Sequence, residues 1–201
     1  ITPLFIVLLL NSMNMVDGIN GNSGLIFLSY CMMFYYIGEE NNKNIIILLF
    51  IIIPIIIFLI FNMKNKLYLG DSGVYLLSSI IAFYAIDLYN FNTTNISSEK
   101  LFLIFMIPGL DMFRVFCLRI INKKNPFKGD LNHIQNLLIN RFSNIKSLII
   151  TMAIIIWPTI CYKITNVNVE YLIIANTLIY IFLIMHLIKL KNFSEQFKNN
   201  K

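Results

Sequence analysis

The chain has 201 residues, 58% of them hydrophobic and 13% charged, with a formal net charge of +6 and a mean hydropathy of +0.73. So apolar a composition excludes a water-soluble globular domain and fits a polytopic membrane protein. The expected fold class is all-α, a bundle of transmembrane helices forming a single domain over residues 1–201.

A helix needs about 20 apolar residues to cross a hydrocarbon core of about 30 Å. The first apolar run, 1–11, covers part of a span, and six longer windows follow at 22–38, 44–61, 74–90, 101–121, 147–165 and 169–190. Ile-rich stretches such as NIIILLFIIIPIIIFLIF would suggest strands in water. In lipid at this length, only a helix satisfies its own backbone. Pro54 and Pro108 mark expected kinks. Ile1 opens inside an apolar run with no initiator Met and no basic leader, so the segment reads as the C-terminal part of a longer protein. Cys31, Cys117 and Cys161 fall within spans, lack metal-ligand spacing and read as small buried residues.

Between the apolar runs lie three acidic breaks: NSMNMVDGING at 11–21, LYLGDSG at 67–73, and a longer stretch at 107–138 that overlaps a basic loop at 122–141. Of the 16 Lys and Arg, all but Lys43, Lys100 and Lys163 fall in one alternate set of connections. Positive charge stays on the cytoplasmic side of short loops. Asp17, Asp71, Asp130 and His133 are therefore expected in the cytoplasm. The positive balance reflects topology and contact with anionic lipid or phosphate, not nucleic acid. Several carboxylates gathered at one face of an oily protein read as a polar site.

Four motifs occur in order: NxxNxxDGxxG at Asn11–Gly21, GDSG at Gly70–Gly73 preceded by an aromatic, PxxDxxRV at Pro108–Val115, and PFxxDxNHxxxLL at Pro126–Leu138. Together they make the chain resemble the polyprenyl-phosphate N-acetylhexosamine-1-phosphate transferases, glycosyltransferase family 4, over nearly its whole length. The resemblance implies attack by a polyprenyl phosphate on the sugar-bearing phosphorus of a UDP-N-acetylhexosamine, with UMP released and Mg²⁺ or Mn²⁺ required. The implied setting is the bacterial plasma membrane, with the active site facing the cytoplasm. Polyprenyl phosphate, the UDP-sugar and the membrane are the implied partners, nucleic acid is not, and a homodimer is left open.

Site residues carried by the resemblance start with Asp71 and Asp17 as catalytic metal ligands. Mg²⁺ takes only one or two protein carboxylates and keeps waters and phosphate oxygens for the rest. Asp71 also reads as the N-cap of a helix starting near Ser72, and Asp17 as the cap of a turn. Tyr68 takes the position of an aromatic that stacks on uracil, and also suits an interfacial anchor. Asn14 shares a face with Asp17 if the first helix continues that far, while Gly18 permits close approach of a ligand. Asn20 stands where many relatives have Asp at the uracil edge. Asp111 and Arg114 are spaced either as a self-neutralising i,i+3 pair or as a phosphate-facing site. In the basic loop, Lys128 and Asp130 are expected at the substrate and His133 at its pyrophosphate. The family's HxHH cluster reads His133, Ile134, Gln135, Asn136 here, a departure that bears on substrate class and activity. The family's paired-Asp motif does not occur in these residues. A transporter with Asp71 and Asp111 on an ion path, and an inactive relative acting as a scaffold, are the alternative functional classes.

Overall fold

The computed structural model describes residues 2–37, 42–90, 96–126 and 131–199, and within them every regular element is an α-helix. In chain order these are α1 (Thr2–Val16), α2 (Asn22–Ile37), α3 (Asn42–Asn62), α4 (Gly70–Asn90), α5 (Ser98–Ile121), α6 (Ile134–Ile139), α7 (Asn144–Thr165) and α8 (Val169–Asn199). The all-helical class follows from hydropathy, because a backbone surrounded by hydrocarbon finds partners only within its own helix.

The expected spans are revised in three ways. The helices long and apolar enough to cross a membrane are α4, α5, α7 and the Val169–Lys189 part of α8, whereas α1 and the Ile46–Asn62 part of α3 are apolar but shorter. With 16 residues, α2 rises only about 24 Å. Among the described residues, four of the six expected windows are helices of that length. The N-terminal apolar helix continues past residue 11 to Val16. The stretch expected as a plain basic loop at 122–141 contains α6. Lys128 and Asp130 lie outside the described residues. Pro54 and Pro108, expected at kinks, stand inside helices that continue through them.

Packing centres on α1, α4 and α5, with α2 against α3 and α7, and α8 against α5 and α7. Phe105 on α5 receives edge-on contacts from Phe5 of α1 at 5.4 Å, and from Tyr30 and Phe34 of α2 at 4.8 and 5.9 Å between ring centroids. Such edge-to-face pairs add about 0.5–1.5 kcal/mol each beyond area burial. Deeper in α8, Asn176 is fully buried and accepts a hydrogen bond from Trp157 Nε1 of α7 at 2.9 Å. A polar side chain at that depth needs such a partner, and the bond ties two apolar helices together. Large apolar side chains such as Phe50, Phe182 and Ile164 face outward, as in a protein solvated by lipid.

This packing brings three connections to one end of the bundle: the turn between α1 and α2, the loop between α3 and α4, and the segment around α6. Asp17 sits in the first of these connections, and Asp71 follows the second in the first turn of α4.

Candidate active site

Helix α1 stops at Val16, and Gly21, with φ +86°, closes the turn into α2. Its N–H donates to Asn62 Oδ1 at 2.6 Å, and Asn62 Nδ2 donates to the Leu67 carbonyl at 2.7 Å. One buried amide thus fastens the α1–α2 turn to the α3–α4 loop. Asn20 adds a second tie by donating its amide to Asn65 Oδ1. Gly70, with φ +65°, then opens α4 in a conformation glycine adopts without strain. Asp71 lies within the first turn of α4, not at a cap before Ser72, so its carboxylate sits at the positive end of the helix dipole. One turn further on, Tyr75 accepts a hydrogen bond from Asn14 Nδ2 at 3.3 Å, linking α1 to α4 beside both carboxylates.

The electrostatics reflect this proximity. Burial pushes the Asp17 carboxyl above its ordinary value and the nearby Asp71 charge adds to the rise, while the hydroxyl of Ser23, donating to Asp17 Oδ1 at 2.5 Å, works against it. Two carboxylates of like charge, one half-buried and one exposed, would be relieved by a cation between them. Tyr68, three residues before Asp71, is 70% exposed with its ring open to a ligand.

A second polar cluster lies in and above α5. Asp111 is 1% exposed and accepts from Arg114 Nη2 at 2.7 Å, from the Tyr180 hydroxyl at 2.8 Å, from His133 Nδ1 at 2.8 Å and from the Ile134 N–H at 3.2 Å. Arg114 also donates to the Tyr180 oxygen at 2.9 Å and to the Asn132 carbonyl at 2.6 Å. The i,i+3 ion pair read from the sequence is present, and it is the centre of a hub that holds residues 132–134 against α5 and α8. From there α6 reaches the first cluster. Gln135 Nε2 donates to the Met15 carbonyl at 2.6 Å, filling one of the orphan acceptors at the C-terminus of α1, and Asn136 lies against Gly18.

Residues 1–89 match the family model for glycosyl transferase family 4. The chain is also similar to an undecaprenyl-phosphate alpha-N-acetylglucosaminyl 1-phosphate transferase of Thermotoga maritima, being 29% identical over 159 residues. That match covers 76% of this chain and 48% of the relative, so the chain spans about half the relative's length. No solved structure matches.

The structure brings Asn14, Asp17, Gly18, Asn20, Tyr68 and Asp71 to one end of the bundle, with His133 joined to them through α6. Asp111 and Arg114 lie beneath His133, bonded to protein groups. Sequence reasoning missed Asn62, Ser23, Tyr75 and Tyr180. Asn62 and Ser23 follow apolar or turn residues with no motif around them, and Tyr75 and Tyr180 read as ordinary span residues. Their partners lie between 5 and 69 positions away. Among the described residues no three His, Cys, Asp or Glu side chains converge as a complete metal cage. The Asp17–Asp71 pair fits an ion that takes one or two carboxylates and completes its shell with water and phosphate, which is the habit of Mg²⁺.

Proposed function

We propose that the protein to which this chain belongs transfers a sugar 1-phosphate from a UDP-N-acetylhexosamine to a polyprenyl phosphate, as the name of the Thermotoga maritima relative suggests for that protein. A phosphate oxygen of the lipid attacks the phosphorus that bears the sugar, a new P–O bond forms, the bond to the uridylyl group breaks, and UMP leaves. We place this chemistry at the cytoplasmic face of the plasma membrane.

The observation that carries the proposal is that the turn carrying Asp17 and the loop leading into Asp71 are fastened together by Asn62 at one end of an apolar helical bundle. Held there, Asp17 and Asp71 would bind Mg²⁺, whose chemistry is to neutralise phosphate charge as it develops. Tyr68 would stack on the uracil, and Asn14 and Gly18 would leave room for the nucleotide. An apolar groove of about 830 Å³ runs between α1, α5 and the C-terminal part of α4. It extends from Thr2 and Asn90 at the far end to Ser12 and Phe113, near the polar end, with Phe5 and Phe105 along its wall. A polyprenyl chain has the shape and polarity to lie in it.

The test is UMP release by the full-length protein in lipid, from UDP-N-acetylglucosamine and UDP-N-acetylgalactosamine, with and without polyprenyl phosphate. Release dependent on both substrates supports the reading. Solute uptake into vesicles without any UMP release would overturn it in favour of a transporter.

A further inference from the structure

Asp111 accepts from four protein donors while almost wholly buried. A carboxylate offers about four lone-pair sites when ionised and is then an acceptor only. Its capacity is therefore filled by the fold, which leaves none for a metal or a substrate hydroxyl. Arg114, Tyr180 and the Ile134 N–H all donate to it, so the remaining contact, from His133 Nδ1, must donate as well. Nδ1 is thus the protonated ring nitrogen. Nε2 makes no hydrogen bond within the described residues.

We infer that Asp111 and Tyr180 are positioning residues that fix the tautomer and orientation of His133, so that Nε2 alone is presented to the nucleotide-sugar phosphates. The inference rests on the transferase reading above and assigns a role to α8, from which no sequence motif was drawn. Tyr180 is the hinge of the arrangement: its hydroxyl donates to Asp111 Oδ1 at 2.8 Å and accepts from Arg114 Nε at 2.9 Å, so it orients the carboxylate and the guanidinium together. Without the hydroxyl, Asp111 Oδ1 loses a donor and Arg114 Nε an acceptor, and the carboxylate is free to turn toward the guanidinium and away from the imidazole. Fixing a histidine tautomer through a buried carboxylate is an established way to hold one nitrogen for chemistry.

The experiment uses ¹⁵N-histidine-labelled full-length protein in lipid nanodiscs, the His133 signals being assigned by their loss in His133→Asn. In the wild type, Nδ1 should carry a slowly exchanging proton. In Tyr180→Phe that proton should exchange faster, and kcat should fall about 10-fold with the UDP-sugar KM changed far less. In Asp111→Asn the tautomer should be lost and kcat should fall roughly 100-fold or more. An unprotonated Nδ1 in the wild type would overturn the inference. So would an unchanged Nδ1 signal and kcat in Tyr180→Phe accompanied only by lower thermal stability, because that outcome is a packing role alone. If the wild type turns over none of the UDP-hexosamines, the transferase reading fails, while the Nδ1 signal still decides the positioning role.

Discussion

Asn62 accepts the Gly21 N–H at 2.6 Å across 41 positions of sequence, and the same side chain donates to the Leu67 carbonyl. At 5% exposure, neither bond is readily replaced by water. Asn62→Ala leaves a backbone donor and an acceptor unpaired, each costing about 1–3 kcal/mol. Thermal unfolding in detergent should show the loss of stability, and UMP release should fall because the turn carrying Asp17 is no longer tied to the loop carrying Asp71. Asn62→Asp, which still accepts from Gly21 but cannot donate to Leu67, should fall between. Wild-type stability and activity in the alanine variant would refute the clamp.

For the metal, Asp71→Asn should reduce turnover roughly 100-fold or more, since an amide ligates Mg²⁺ poorly and lacks the charge that holds it. Expression and membrane insertion should be unaffected, because Asp71 is exposed. Chelation should abolish UMP release, and added Mg²⁺ or Mn²⁺ should restore it. Activity that persists after chelation would end the cation assignment.

Tyr68 offers a cleaner test of the nucleotide pocket, because its ring is exposed and its removal leaves no cavity. Stacking of a base on an aromatic ring is worth about 1–3 kcal/mol, so Tyr68→Ala should raise the UDP-sugar KM about 10-fold and Tyr68→Phe much less. Equal effects of the two substitutions would indicate that the hydroxyl, not the ring, makes the contact.

Orientation can be read by cysteine labelling from either side of a sealed vesicle. Lys64 and Lys124, in connections at the end that bears the acidic motifs, should be reached from the cytoplasmic side. Ser97 and Asn166, in connections at the opposite end, should be reached only from outside. A Lys124 position labelled from outside would put the acidic end away from cytosolic nucleotide sugars and remove the basis of the proposed reaction.

Much of the helical architecture is legible from hydropathy, because a long apolar run in lipid has no other backbone solution. The starts of α4, α7 and α8 fall within a few residues of the windows read from composition. The end of α1 was misplaced because Asn11 and Asn14 look like loop residues. In the folded chain Asn11 donates to the Val7 carbonyl one turn back and Asn14 to Tyr75, so both polar side chains are satisfied without leaving the helix. The helix α6 was missed for a related reason. Its six residues are too few for a periodic signal, and it is held by Gln135 bonding to Met15 and Ile134 bonding to Asp111.

By itself, the sequence determined that this protein is helical in lipid and that Asp17 and Asp71 fall in polar breaks between apolar runs. Hydropathy acts residue by residue along the chain, so both facts survive without a fold. Only the tertiary structure decided which polar groups meet: Asn14 of α1 with Tyr75 of α4, Asn62 across the two loops, and Tyr180 of α8 on Asp111 of α5. A buried polar side chain is stable only where packing supplies its partner, and packing joins helices that are distant in sequence.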